Sequence, residues 1–176
     1  MNLPNRLTIF RLCLAPLFVW FFFKPPGGWH LAPALVLLLS GLTDVLDGFI
    51  ARKYHLVTQL GQFLDPLADK VTILAVIACL SVPHPPIRLL LAFYLVKELT
   101  LGSVGLALLK SWRNSPPAKW YGKMATVTLY LLFFLLLIWP GFPEGWIYPM
   151  MAIPAVFMIL SLIFYLKEIT KRNNRL

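Results

Sequence analysis

Hydrophobic residues along this chain come in long runs rather than at the spacing that marks one face of a soluble helix. Six stretches are dominated by Leu, Ile, Val, Phe and Ala: Leu7–Phe23, Leu31–Ala51, Phe63–Val82, Ile87–Leu109, Tyr121–Trp139 and Trp146–Leu166. Each is close to the roughly 20 apolar residues that a helix needs to cross a bilayer. The breaks between them carry Pro and Gly: Pro25-Pro26-Gly27-Gly28, Pro83-His84-Pro85-Pro86, Pro116-Pro117, and the segment from Pro140 to Gly145. The pattern predicts an all-α integral membrane protein of six transmembrane helices, forming one membrane domain over residues 1–176. Arg6 and Arg11 beside the first run resemble the start of a signal peptide. No small-x-small cleavage site follows, so the reading is an uncleaved first span.

Composition sharpens this. Of 176 residues, 59% are hydrophobic and only 13% charged. A soluble domain of this size has too little interior to hide so much apolar surface, which excludes a soluble globular enzyme. A disordered chain is excluded as well, because its composition would be polar. Cys13 and Cys79 lie inside apolar runs and form neither a metal motif nor a disulfide framework.

The formal charge of +9 would suggest nucleic acid in a soluble protein. Its distribution gives a simpler cause. Arg6, Arg11, Arg52, Lys53, Lys110, Arg113, Lys119, Lys123, Lys167, Lys171, Arg172 and Arg175 fall at the N-terminus, after spans two and four, and at the C-terminus. The opposite loops hold only Lys24 and Arg88. This asymmetry places both termini in the cytoplasm and calls for no nucleic acid. Trp29, Trp139 and Trp146 near one set of helix ends, with Trp112 and Trp120 near the other, fit interfacial aromatic belts.

Four of the seven acidic residues are Asp44, Asp47, Asp65 and Asp69. Carboxylates within spans are costly and mark function by default. Asp44 and Asp47, three apart, share a helical face with Gly48, Ala51 and Arg52; Asp65 and Asp69 are four apart near the start of the next helix. Asp44 lies roughly 12 Å along the helix axis from Arg52, at about 1.5 Å per residue. Both pairs are thereby expected at the cytoplasmic headgroup boundary, with four carboxylates converging. Such a group cannot ionise fully without cations, and hard oxygen ligands suit two Mg²⁺ or Mn²⁺ ions. Arg52 adds a forked positive group, and Gly48 and Gly61 leave room for close approach. Together these residues point to phosphoryl-type transfer at the membrane surface.

The run Asp44-x-x-Asp47-Gly48-x-x-Ala51-Arg52, eight residues, Gly61-x-x-x-Asp65-x-x-x-Asp69 resembles the full signature of the CDP-alcohol phosphotransferase family. The opening Pro4-Asn5-Arg6-Leu7-Thr8-Ile9-Phe10-Arg11 looks like that family's bacterial phosphatidylglycerophosphate synthase branch. The resemblance implies transfer of a phosphatidyl group from CDP-diacylglycerol to an alcohol, with release of CMP. It implies metal ligation by Asp44, Asp47, Asp65 and Asp69, with Asp69 also the general base. Gly48, Ala51, Arg52 and Gly61 would line the CDP side. It further implies a homodimer in a bacterial-type plasma membrane, with the site facing the cytoplasm.

A phosphorylated acceptor such as glycerol 3-phosphate needs a basic pocket. Lys110, Arg113, Lys119 and Lys123 cluster between spans four and five, on the motif's side, although positive-inside bias accounts for part of them. Lys123, in Tyr121-Gly122-Lys123-Met124-Ala125-Thr126, resembles the Gly-Lys-x-x-Thr of phosphatidylglycerophosphate synthases, and Arg11 is placed facing the same pocket. Two positions depart from that branch: Lys97-Glu98 stands where Arg-Glu is frequent, and Gly105 replaces a second arginine. Lysine lacks the arginine fork, which makes a CDP-diacylglycerol-dependent cardiolipin synthase the rival reading. A cation transporter, the alternative from another class, predicts carboxylates near the midplane and inverted repeats. An inactive lipid-binding scaffold would have lost a motif residue.

His30, His55 and His84 read as loop residues, Gly102 and Gly105 as packing positions, and the basic run Lys167–Arg175 as an anchor to anionic headgroups.

Overall fold

A computed structural model describes residues 3–54, 58–109 and 120–173. The elements are α1 (Leu3–Phe23), a 3₁₀ turn (Pro26–Gly28), α2 (Ala32–Lys53), α3 (Gln59–Leu80), α4 (Ile87–Leu109), α5 (Trp120–Ile138) and α6 (Glu144–Asn173). No strand occurs among the described residues. The helices follow the apolar runs with larger differences at three ends: α3 starts at Gln59, four residues before the run that begins at Phe63. α1 starts at Leu3, because Pro4 lacks an N–H that the first turn would leave unpaired anyway. This brings Asn5 onto the same helix as Thr8 and Arg11. α6 continues past Leu166 to Asn173, beyond the apolar run.

Among the described residues, four helical segments are long and apolar enough to cross a membrane: Pro4–Phe23, Ala32–Ala51, Trp120–Ile138 and Glu144–Lys167. The distribution of polarity within helices agrees with a lipid environment. On α1 the buried stripe is Asn5, Thr8, Arg11, Leu14, Ala15 and Phe18, whereas Ile9, Phe10, Leu17, Trp20 and Phe23 are exposed. On α2, Ser40 and Asp47 are buried while Leu35, Leu38, Leu39, Leu42, Val45, Leu46 and Phe49 face outward. Polar groups inside and leucines outside invert the soluble pattern, which is stable only where the surroundings are themselves apolar.

The chain packs as two compact units, Met1–Pro83 with Phe133–Gly141, and His84–Leu132 with Phe142–Leu176. In the first, α1 packs against both α2 and α3. The turn from α1 towards α2 uses Gly27 and Gly28 at φ 59° and 76°, a left-handed backbone that side chains disfavour. In the second unit α4 packs against α6. Between these two lies an apolar groove of about 350 Å³ lined by Leu89, Phe93, Tyr148, Met151 and Ile159, among others. The Tyr121 ring of α5 stacks on Phe164 of α6 at 4.8 Å.

Candidate active site

The site is built within the first unit, where α1 packs against α2 and α3. α2 ends at Lys53 and α3 begins at Gln59; Asp47 and Asp65 each lie six residues from these ends, while Asp44 and Asp69 lie near the middles of their helices. Thr58 caps α3: its hydroxyl oxygen accepts from the Gly61 N–H at 3.0 Å, satisfying one of the free donors of the first turn. The cap is tied to α1, because the Thr58 hydroxyl donates to Asn5 Oδ1 at 2.9 Å.

One helical turn further along α1, Thr8 Oγ1 lies 2.6 Å from Asp65 Oδ1 and 3.1 Å from the Pro4 carbonyl, so its proton goes chiefly to the carboxylate. Arg11 comes next. Its side chain is 0% exposed, and its Nη1 lies 2.8 Å from Asp44 Oδ1 and 2.7 Å from Asp69 Oδ1. Its Nη2 pairs with Asp47 Oδ2. Arg11 Nε is buried without a hydrogen-bond acceptor. The acids differ in access: the side chains of Asp44 and Asp69 are 45% and 37% exposed, that of Asp47 only 4%.

The motif's acids meet through Arg11 rather than directly. Asp44, Asp47 and Asp69 share one guanidinium, and Asp65, fixed by Thr8, is close enough to interact electrostatically with Arg11 and with Asp47 and Asp69. Among the described residues no three carboxylate, imidazole or thiol groups stand converged as metal ligands. The guanidinium separates them. The donor set nonetheless suits hard divalent ions, since it consists of carboxylate oxygens, two of them solvent-accessible, with one positive charge among four negative ones.

The remaining sequence candidates divide. Arg11 was expected at a basic acceptor pocket; the structure places it among the aspartates, because a guanidinium buried on an apolar helix must pair with the nearest anions. Gly61 is buried, and a Cβ there would stand 2.9 Å from Asn5 Oδ1 and 3.1 Å from Thr58 Oγ1. Its lack of a side chain serves the close approach of α1. Gly48 and Ala51 lie half-buried on α2, just past Asp47. Arg52 belongs to α2, and its side chain is outside the described residues, as are Lys110, Arg113, Lys119 and His55. Lys123 is exposed in the first turn of α5, in the second unit. There Gly122 faces Ser161 Oγ at 3.6 Å from an added Cβ. Lys97 pairs with its neighbour Glu98 at 2.7 Å. His84 lies in the connection between α3 and α4, as expected of a loop residue, and is buried there.

Sequence reasoning missed Asn5, Thr8 and Thr58. The signal was present: Asn5, Thr8 and Arg11 recur at three-residue steps in an otherwise apolar helix, a polar stripe that must face protein.

Comparison with known proteins decides the relationship. The family model for CDP-alcohol phosphatidyltransferase matches residues 1–166. The chain belongs to the CDP-alcohol phosphatidyltransferase family. It is 32% identical over 178 residues to the CDP-diacylglycerol–glycerol-3-phosphate 3-phosphatidyltransferase of Escherichia coli K12, covering 94% of this chain and 93% of that protein. It is 36% identical over 160 residues to the CMP-forming cardiolipin synthase of Streptomyces coelicolor, covering 87% of this chain and 72% of that protein. As a CDP-alcohol phosphatidyltransferase the chain is a membrane-associated transferase of phospholipid synthesis, and its signature aspartates are the ones gathered around Arg11.

Proposed function

We propose that the protein transfers a phosphatidyl group from CDP-diacylglycerol to glycerol 3-phosphate, giving phosphatidylglycerophosphate and CMP. The observation that carries this is the gathering of Asp44, Asp47 and Asp69 on one guanidinium, with Asp65 alongside. Membership of the CDP-alcohol phosphatidyltransferase family favours this reading over a transporter. The near end-to-end match to the Escherichia coli protein supports glycerol 3-phosphate as acceptor.

In this reading the chain crosses the membrane six times with both termini and the site on the cytoplasmic side. It works as a homodimer in a bacterial-type plasma membrane. Asp44, Asp47, Asp65 and Asp69 hold two Mg²⁺ or Mn²⁺ ions. When bound, these ions neutralise the diphosphate and act as Lewis acids towards the transferring phosphorus. Gly48, Ala51, Arg52 and Gly61 form the CDP side. Lys123, Lys110 and Arg113 hold the acceptor's phosphate.

Asp69 takes the proton of the acceptor hydroxyl, whose oxygen forms a bond to the phosphorus bearing diacylglycerol. The bond from that phosphorus to the CMP oxygen breaks, and CMP departs with the electron pair. Holding hydroxyl and phosphorus in line supplies proximity, and the carboxylate supplies base catalysis. Asp69 is suited to this because its side chain is partly exposed.

Cardiolipin synthesis, with phosphatidylglycerol as acceptor, is the second reading, favoured by the similarity to the Streptomyces coelicolor protein and by Lys97 and Gly105. The test is purified protein with CDP-diacylglycerol and each acceptor in turn, following CMP and the lipid product. Phosphatidylglycerophosphate formed from glycerol 3-phosphate is the expected result. Product from phosphatidylglycerol alone would establish the second reading instead.

A further inference from the structure

We propose that Arg11 is the built-in counter-ion of the metal-free aspartate cluster and competes with divalent cations for it, so that cation binding displaces the guanidinium from Asp44 and Asp69. This rests on the metal-binding reading above and concerns what the chain itself does to cation affinity. Arg11 Nη1 bridges Asp44 Oδ1 and Asp69 Oδ1 at 2.8 and 2.7 Å. A divalent ion held by these carboxylates would compete with Nη1 for the charge of the same two groups. The carboxylates so bridged are solvent-accessible, at 45% and 37% exposure. A cation arriving from solvent therefore meets the two acids that Nη1 holds. Asp47, buried with Nη2, is the contact that keeps Arg11 in place during the exchange.

Arg11 is also incompletely satisfied. Its Nε is buried with no acceptor, although the side chain is wholly enclosed. An arginine locked permanently into a structural network would be expected to match all its N–H groups. One positive charge among four negative ones holds the carboxylates together yet leaves the cluster anionic, so a doubly charged ion is the stronger partner. Arg11 thereby keeps the site assembled between turnovers and lowers its apparent cation affinity, as any competing state must.

The test compares wild type, Arg11→Gln and Arg11→Lys in detergent by Mn²⁺ titration, read from the electron paramagnetic resonance of free Mn²⁺, and by thermal unfolding with and without Mg²⁺. Arg11→Gln should melt below wild type without metal and regain most of the difference with saturating Mg²⁺. Its Mn²⁺ affinity should rise by about tenfold or more, as expected on removing a competing state. Arg11→Lys, a point charge without the fork, should fall between the two. It carries the test should Arg11→Gln fail to fold. Affinity unchanged or weakened in the variants, while wild type binds cation, would overturn the competition alone. Absence of cation binding by wild type would overturn the metal site and this proposal together.

Discussion

Thr8 and Asp65, 57 positions apart, are joined by a hydrogen bond of 2.6 Å. The hydroxyl comes from α1, outside the family signature, and the carboxylate from within it, on α3. A charge-assisted bond of this kind orients a carboxylate that would otherwise rotate in a partly open site.

Thr8→Val keeps the shape and removes the donor. It should cost about 1 kcal/mol of stability, the usual net worth of one hydrogen bond, because Asp65 is only half-buried. Cation affinity should fall roughly 10–100-fold, the usual effect of removing a partner that orients a ligand. Thermal unfolding and Mn²⁺ titration measure the two effects, and Thr8→Ser should restore both.

Asp69→Asn removes the proposed base and retains an oxygen that accepts from Arg11. CMP release should fall by about 10²–10⁴-fold or more, the range for loss of general base catalysis. The protein should remain folded and membrane-inserted. Turnover near that of wild type at saturating metal would refute the assignment of Asp69.

Gly61→Ala tests a packing constraint. The new methyl would meet Asn5 Oδ1 at 2.9 Å and Thr58 Oγ1 at 3.1 Å, so the cap of α3 must shift. The expected cost is about 1–2 kcal/mol, the scale of losing an N-cap. Asn5→Ala in the same chain should relieve part of it, seen as a coupling energy in a double-mutant cycle of unfolding.

Removal of divalent cations by exhaustive chelation should stop CMP release, and Mg²⁺ or Mn²⁺ should restore it. Full activity after chelation would reject the metal reading.

His84, in the turn between α3 and α4, titrates below the ordinary imidazole value of 6.5 because burial disfavours its charged form, partly offset by Glu144. The unfolded chain then binds the proton more readily than the folded one. Stability should therefore decline as pH falls below about 6.5, towards the lower folded value. His84→Gln should flatten this part of the profile of unfolding temperature against pH.

Much of this protein was legible without coordinates. Long apolar runs report a lipid environment because no small soluble fold can bury them, and the described helices follow those runs closely. Asp44 with Asp47, and Asp65 with Asp69, could be placed on shared helical faces because spacings of three and four are local properties of a helix. The family signature follows from the same local order. Contacts between helices were not legible. Arg11 lies 36 positions from Asp47 and 58 from Asp69. Nothing local distinguishes an arginine facing an acceptor from one facing the acids. That choice was made by α1 packing between α2 and α3, which buries one stripe of a helix and leaves its charged member no partner except the carboxylates beside it. Gly61 follows the same rule: its spacing marked a close approach, but only tertiary packing showed that the neighbour is Asn5. Sequence determined the solvent, the elements and the acidic inventory. The packing of three helices decided which charges meet, because pairing energies depend on distances that the order of residues does not set.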